Sequence, residues 1–168
     1  MIILSSSQAV THVRVNNESV ICTINQTEIT PFSDEQKDFL SIKLYDCRSE
    51  VKKKKIDFNY KYVGMMLEEV IKRVVVPNNY KYSILVCSTT DNFVDIINGV
   101  LLFFLKQGIS VFDVFYCARI EENVCLFSRN DQKIYEFKHP IGNQNIVTVQ
   151  SVKEEFFKVI SNLMTFNC

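Results

Sequence analysis

Length, composition and charge already exclude several classes of protein. The 168 residues are enough for one domain with its own hydrophobic core, and we expect a single domain over residues 1–168. A content of 47% hydrophobic and 23% charged residues excludes a disordered chain. Nineteen Lys and Arg balance nineteen Asp and Glu, so contact with RNA or with an anionic membrane would require a local positive patch.

The first third of the chain predicts β-structure. Residues 10–15 and 20–24 are strand-like and flank Asn16 and Asn17, which tolerate the positive φ angles of a tight turn, so we expect an opening hairpin. Residues 27–37 have the composition of a loop, and residues 40–44 alternate as a half-buried strand. A polar segment with four consecutive lysines follows.

Two helices and a strand are predicted in the centre. Apolar residues between positions 63 and 74 recur at spacings of three and four, and this helix has to end before Pro77. Residues 82–87 are typical of a strand. In the second helix Asp91 or Asn92 provides the N-cap, residues 96–105 carry the apolar face, and Gly108 provides the C-cap.

The last third predicts a second hairpin and a final helix. The hairpin joins residues 111–119 to residues 124–127, and residues 134–137 and 146–149 add shorter strands. Ser151 and Glu154 form a capping box for the helix. The fold class is therefore α/β (α+β), with mixed sheets of β-hairpins packed on helices. The apolar stripe of the final helix consists of Val152, Phe156, Val159, Ile160 and Leu163.

Cysteine spacing and apolar run lengths bear on location. No C-x-x-C pair or histidine cluster is present, so we expect buried thiols, no metal site and a reducing compartment, either cytosol or nucleus. The N-terminal apolar run is too short for a signal peptide, and residues 100–105 are too few to cross a bilayer, so we expect a soluble protein without a membrane partner. The six cysteines are Cys22, Cys47, Cys87, Cys117, Cys125 and Cys168.

The usual catalytic patterns are absent. Four glycines form neither G-x-G-x-x-G nor G-x-x-x-x-G-K-[ST], which excludes the two common glycine cradles for nucleotide phosphates. His12 and His139 have no obvious Cys or Ser partner, so we interpret both as structural. Glu121 and Glu122 are adjacent in a predicted turn, where a solvated hairpin tip is a simpler interpretation than an acid/base pair.

One basic run is the candidate for RNA contact. Lys52, Lys53, Lys54 and Lys55 could each contact a phosphate without reading sequence. The alternative is a solvated loop. The thirteen Phe and seven Tyr fall mainly at core positions and do not interleave with basic residues, so they predict packing.

Three strings in a fixed order resemble the ribonuclease PH family, in particular the related subunits of the six-membered ring of the eukaryotic RNA exosome. The string HVRVNNESVICTI is similar to the family's strand, tight turn and strand ending V-I-C-x-V. MMLEEVIKRVVVPNNY resembles the helix before its central strand. DNFVDIINGVLLFFLKQGISV is similar to D-G-G-x-R-x-A-x-I-N-A-A-x-x-A-L-x-D-A-G-I, with Asn98, Gly108 and Ile109 in place. The resemblance covers nearly the whole chain and implies a single ribonuclease PH-like domain.

The family's reactive residues are replaced. Active members hold inorganic phosphate with the arginine of the last string, where this chain offers Phe93 or Asp95. They also carry an acidic D-x-D-Y-x-E-D-like segment, where Asp131 is the only carboxylate near the right place. An arginine expected after the first hairpin falls near Glu28. We therefore expect no catalytic residue, cofactor site or metal site.

The resemblance implies a non-catalytic structural subunit of the exosome core ring, which supports RNA processing and degradation from the 3′ end. Its expected partners are other ribonuclease PH-like ring subunits, cap subunits, and RNA through the assembled complex. Its expected location is the nucleus, including the nucleolus, and the cytoplasm. Two alternatives stay open: an active phosphorolytic 3′-to-5′ exoribonuclease with a diverged site, and an unrelated α/β protein-interaction module.

Overall fold

Two β-sheets and three helices make up the secondary structure of the described part of the chain. The computed structural model describes residues 1–6, 9–15, 17–28, 39–50, 53, 59–138 and 148–165. The larger sheet has the order β1-β2-β3-β5-β4, and only the β4–β5 pair is parallel. Its strands are β1 (Ile2–Ser6), β2 (Val10–Val15), β3 (Glu18–Glu28), β4 (Leu40–Asp46) and β5 (Tyr80–Ser88).

The smaller sheet is antiparallel, with the order β6-β7-β8. The three helices lie between and beside the sheets, which confirms the predicted mixture of hairpin-rich sheets and helices. That residues 1–168 form one domain stays a prediction. The remaining elements are β6 (Phe115–Ile120), β7 (Asn123–Ser128), β8 (Lys133–Lys138), α1 (Tyr60–Lys72), α2 (Phe93–Gln107) and α3 (Val149–Thr165).

The predicted opening hairpin is confirmed. Val15 pairs with Glu18 at the end of the β2–β3 ladder, and Asn17 between them has the positive φ of 65° that a tight turn favours. Sequence analysis missed β1, which pairs antiparallel with β2 and precedes the hairpin. The segment is short and two of its five residues are serine, so it shows no strand pattern in the sequence. Its pairing with β2 is what identifies it as a strand.

Helix α2 is the central element and has the predicted ends. The Asn92 side chain accepts a hydrogen bond from the Val94 amide, and Gly108 ends the helix in the left-handed region with φ 69°. Every residue from position 93 to 104 is buried. The helix contacts β2 and β3 on one side and β6 on the other, so both sheets bury their inner faces against it.

An amide clamp fixes α2 to the smaller sheet. The Asn98 side chain donates to the carbonyl of Cys117 at 2.8 Å and accepts from the amide of the same residue at 2.7 Å. The oxygen and nitrogen of the Asn98 side chain and the backbone amide and carbonyl of Cys117 on the edge strand β6 all have hydrogen-bond partners, although they are fully buried. Asn98 is thus a structural residue at the centre of the core.

Three local predictions need correction. Residues 111–114 are not part of β6, because Val111 forms an isolated bridge with Val75. Helix α3 begins at Val149, which had been assigned to a strand, and residues 146 and 147 lie outside the described part. The hydroxyl of Thr148 accepts from the Ser151 amide at 3.3 Å, so the capping residue is Thr148 and not Ser151.

The predicted burial of thiols is wrong at one position. Three thiols are buried, Cys87 is half-buried and Cys47 is exposed just beyond β4, while Cys168 lies outside the described residues. Within the described ranges, no group of three or more His, Cys, Asp or Glu is arranged to hold a metal ion. No helix in these ranges is long and apolar enough to cross a membrane. The buried thiols are Cys22, Cys117 and Cys125.

The contact between α2 and β3 yields a stability prediction. A Cβ added at Gly99 would lie 2.9 Å from Cβ and Cγ1 of Val20, closer than packed side chains tolerate. Gly99→Ala should therefore lower the free energy of unfolding by about 1 to 3 kcal/mol in chemical denaturation, although alanine is the better helix former.

The matched control is Gly64→Ala in α1, where the added Cβ would meet Leu44 at an ordinary 3.5 Å. This variant should be neutral or more stable than the parent. Val20→Ala combined with Gly99→Ala should cost less than the sum of the two single losses, because Cγ1 and Cγ2 of Val20, two of the three crowded atoms, are then absent. Equal gains from both glycine substitutions would contradict the close packing of α2 on β3.

Candidate functional site

The start of α2, where the ribonuclease PH resemblance places phosphate binding, is organised by short polar side chains. The Thr90 amide donates to the Ser88 hydroxyl at 3.1 Å, and the Asn92 amide donates to the Thr90 hydroxyl at 3.0 Å. The Val94 amide donates to the Asn92 side chain at 3.1 Å. These three amides are therefore already bonded within the chain.

Phe93 closes the first turn of α2 with hydrocarbon. Its side chain is fully buried, and its ring meets the ring of Phe137 on β8 edge to face at a centroid distance of 5.4 Å. This geometry is a favourable aromatic contact between helix and sheet. At this position the chain offers packing in place of a charge for phosphate.

Asp95 is the second position at which a phosphate-binding arginine would be expected, and it is almost fully buried. Burial raises the pKa of its carboxyl to about 6, although a hydrogen bond from Asn92 opposes the shift. A buried carboxyl group, ionised or neutral, has no positive charge with which to bind phosphate.

Asp131 is held as an ionised carboxylate. It has a positive φ of 63°, its Oδ1 accepts from the Tyr116 hydroxyl at 2.6 Å, and its Oδ2 accepts from the Lys153 ammonium at 2.6 Å. The hydrogen bond from Lys153 and then the one from Tyr116 hold the pKa of Asp131 below its usual value. A general acid must carry a proton near neutral pH, and these two contacts disfavour the protonated form.

Sequence analysis missed a buried guanidinium, that of Arg48, which lies near the start of α2. The side chain of Arg48 is only 3% exposed, and its Nε and Nη2 donate to the two carboxylate oxygens of Asp46 at 3.0 and 2.9 Å. Its Nη1 lies 3.8 Å from a carboxylate oxygen of Asp91, and its guanidinium lies 5.1 Å from the centre of the Tyr60 ring. We call Arg48, Asp46 and Asp91 the Arg48 clamp.

The Arg48 clamp ties the end of β4 to the loop before α2. Two carboxylates and an aromatic ring surround the one guanidinium, so the local charge is already compensated. Its sequence signal is the D-x-R spacing of Asp46 and Arg48 directly after a strand. The partner Asp91 is distant in sequence, and only the fold brings it near.

Of the predicted RNA-contacting lysines, the structure describes Lys53, whose ammonium lies 3.0 Å from a carboxylate oxygen of Glu50. Lys52, Lys54 and Lys55 lie outside the described residues. The contact of this run with RNA stays a prediction, and Lys53 has an acidic neighbour that reduces its attraction for phosphate.

The other singled-out residues lie apart from the start of α2. His12 does have a serine partner, contrary to the sequence-based expectation: its Nε2 lies 2.9 Å from the Ser19 hydroxyl on the neighbouring strand. No carboxylate among the described residues is hydrogen-bonded to His12, so the pair lacks the third group that orients a catalytic base. His139 lies outside the described residues.

The remaining acidic residues are exposed. Glu28 lies at the end of β3, and Glu121 has a positive φ of 54° in the turn between β6 and β7. Glu122 in the same turn lies 3.4 Å from the Lys138 ammonium. The prediction of a solvated hairpin tip is confirmed.

This arrangement of two sheets around a buried helix is the ribonuclease PH-like fold, as the resemblance predicted. The crystal structure of Rrp46 from rice (Oryza sativa) superposes on the chain with a TM-score of 0.58 at 13% sequence identity. The alignment covers 97% of this chain and 88% of the rice chain. At this identity the likeness shows the fold alone.

Two archaeal structures are more distant. The exosome of Archaeoglobus fulgidus with RNA bound to the active site aligns at 9% identity and a TM-score of 0.45, over 99% of this chain and 85% of that chain. An archaeal exosome core aligns at 10% identity and a TM-score of 0.40, over 96% and 79%. No family model and no curated protein matches the sequence.

The buried carboxyl of Asp95 makes stability depend on pH. With a folded pKa of about 6 and an unfolded value of about 3.9, the folded state holds the proton more tightly, so stability falls as pH rises from about 4 to 6. Asp95→Asn removes the cost of burying the charge. It should raise the free energy of unfolding at pH 7.5 by about 3 kcal/mol and change it little at pH 4.

Denaturant titrations of both proteins from pH 4 to pH 8 measure this difference. Glu122→Gln is the control, because its parent carboxylate is 81% exposed and should leave the pH profile unchanged. A parallel pH profile for Asp95→Asn and the parent would show that Asp95 is not the buried group that titrates.

Proposed function

We propose that the chain is a non-catalytic structural subunit of the RNA exosome core ring and supports 3′-to-5′ RNA processing and degradation. Its partners are other ribonuclease PH-like ring subunits and cap subunits, and it meets RNA through the assembled complex. It needs no cofactor and acts in the nucleus, including the nucleolus, and in the cytoplasm.

This proposal rests on which residues stand at the positions where the family resemblance places the phosphate-binding arginine and the general acid. Phosphorolysis requires a cation that places phosphate beside the scissile bond and an acid that protonates the departing ribose oxygen. Phe93 packs on Phe137, Asp95 is a buried carboxyl, and Asp131 is bonded to Lys153. These contacts support the proposal that the chain keeps the fold without performing the reaction.

The extent of the fold supports a role in an assembly. The alignment with rice Rrp46 covers 97% of this chain and 88% of the rice chain, and the three resembling strings follow one another along this chain in the order that the family has. A ring subunit needs contact surfaces for two neighbours. Helix α1 exposes Met65 to 66% and Tyr62 to 43%, three residues apart, beside β4, the last strand in the described order of the larger sheet. Exposed apolar side chains of this kind are suited to being covered by a neighbour.

Assembly is tested by co-expressing the chain with the ribonuclease PH-like chains of its own source and recording native mass spectra. We expect a stoichiometric complex that contains one copy of this chain. Met65→Lys should weaken the complex because it places a charge on an apolar contact, whereas Arg129→Gln, at an exposed position in the turn between β7 and β8 of the other sheet, should leave assembly intact. A stable monomer that binds none of the co-expressed chains would contradict the proposal.

A further inference from the structure

The larger sheet has an outer face that no described helix covers. Side chains alternate between the two faces of a strand, and Val13, Val20 and Val86 are buried on the inner side. Helix α2 packs on that inner side through Gly99 and Val20, and α3 contacts β6 of the other sheet. The alternate positions of β2, β3, β5 and β4 therefore form the outer face.

Charge is distributed unevenly between the two sides. Arg14 on β2, Lys81 on β5 and Lys43 on β4 occupy outer-face positions, as their register with Ser19, Thr27 and Leu85 shows. The acidic residues of these strands, Glu18, Glu28 and Asp46, occupy the alternate positions. Among the described residues of the sheet, the outer face thus carries cations and no carboxylate.

The three cations form no ion pair within the described part of the chain. This contrasts with Arg48, Lys53, Lys72, Arg73 and Lys153, each of which lies within 4 Å of a carboxylate. Unpaired cations on one face produce a positive potential even though the net charge is zero. The outer face is therefore one local positive patch of the kind that a neutral chain needs in order to attract a polyanion.

The outer face also offers a surface for bases. The Tyr45 side chain is 50% exposed two positions from Lys43, and it pairs across to Cys87. Half-buried Ile21 and Leu85 form an apolar floor between the cationic strands. An exposed aromatic ring beside cations is the combination on which single strands bind, by stacking and by phosphate contact.

The spread of the cations favours an extended polyanion over a single acidic group. Arg14 and Lys43 lie on strands that are three places apart in the sheet order, which separates their backbones by about 14 Å at the usual strand spacing. One carboxylate or phosphate cannot contact both. A flexible strand with a phosphate at every residue can follow the cations across the sheet.

We propose that the outer face of the larger sheet binds single-stranded RNA, with Arg14, Lys43 and Lys81 contacting phosphates and Tyr45 stacking on a base. This inference deepens the proposed function, because it gives the subunit an RNA contact of its own apart from the lysine run at positions 52–55. The test uses the isolated full-length chain, so its outcome does not depend on whether the chain assembles.

The probe is a fluorescein-labelled 20-residue oligouridine, and binding is measured by anisotropy across a salt series. The triple variant Arg14→Gln, Lys43→Gln, Lys81→Gln should lose at least tenfold in affinity at low salt. Its log–log salt slope should fall by about 2, because each single-strand phosphate contact contributes about 0.7. Tyr45→Leu should weaken binding about fivefold with an unchanged slope, because it removes stacking and no charge.

The matched control removes the same charge elsewhere. The variant Lys106→Gln, Arg129→Gln, Lys158→Gln substitutes three cations outside the larger sheet and should bind RNA as the parent does. Circular dichroism melts verify that all variants are folded. Equal losses in the two triple variants would overturn the inference, because binding would then follow net charge and not this face.

Competition with polyglutamate distinguishes whether the outer face binds RNA or an acidic protein. It should compete with the oligouridine much less well than unlabelled oligouridine does, because it cannot stack on Tyr45. Equal competition would overturn the RNA assignment in favour of an acidic protein partner. If the chain assembles into a ring but the outer-face triple variant binds RNA as tightly as the parent, this inference is wrong and the proposed function still stands.

Discussion

The burial of α2 between two sheets is the constraint on which the other features depend. Asn98 holds the helix to the backbone of Cys117 on β6, and Gly99 lets it approach Val20 on β3. Because the helix is enclosed from both sides, residues in its first turn also belong to the core. Phe93 and Asp95, the two positions at which the resemblance leads us to expect a phosphate-binding arginine, are buried for this reason.

The start of α2 and the outer face of the larger sheet differ in whether their charged side chains form ion pairs within the chain. Near the helix, Arg48 is compensated by Asp46 and Asp91, and farther along the chain Asp131 is compensated by Lys153. Buried or bonded charges of this kind stabilise local geometry and have little capacity left for a ligand. Of the outer-face cations, Arg14 and Lys43 are exposed and Lys81 is half-buried, and none has an ion-pair partner in the described part of the chain, so their charges are available to a partner.

Much of the fold could be predicted because its signals are local. Two asparagines marked the β2–β3 turn, and Asn92 and Gly108 marked the ends of α2, since capping and positive φ depend on individual residue types. The order of the resembling strings then indicated the ribonuclease PH-like fold. Strand β1 and the start of α3 were missed or misplaced, because pairing with β2 and capping by Thr148 are weak in the local pattern.

The site was less predictable because its contacts join distant positions. Neither the clamp between Arg48 and Asp91 nor the bond between Asp131 and Lys153 has a sequence period, and each forms only when the sheets and helices are assembled. Exposure of Cys47 and the hydrogen bond of His12 with Ser19 were missed for the same reason. The prediction that Phe93 and Asp95 stand where an arginine is expected rested on the family resemblance and stays a prediction.

The measurement that tests the central claim is phosphorolysis by the purified chain. With single-stranded RNA in phosphate buffer, the account predicts no release of nucleoside diphosphate, because neither Phe93 nor Asp95 offers a cation for phosphate and Asp131 is held unprotonated by Lys153. Asp113→Asn, a carboxylate substitution in another loop, serves as the control for contaminating nuclease. Phosphate-dependent release of nucleoside diphosphate that Asp131→Asn abolishes and Asp113→Asn preserves would contradict the account and identify an active exoribonuclease.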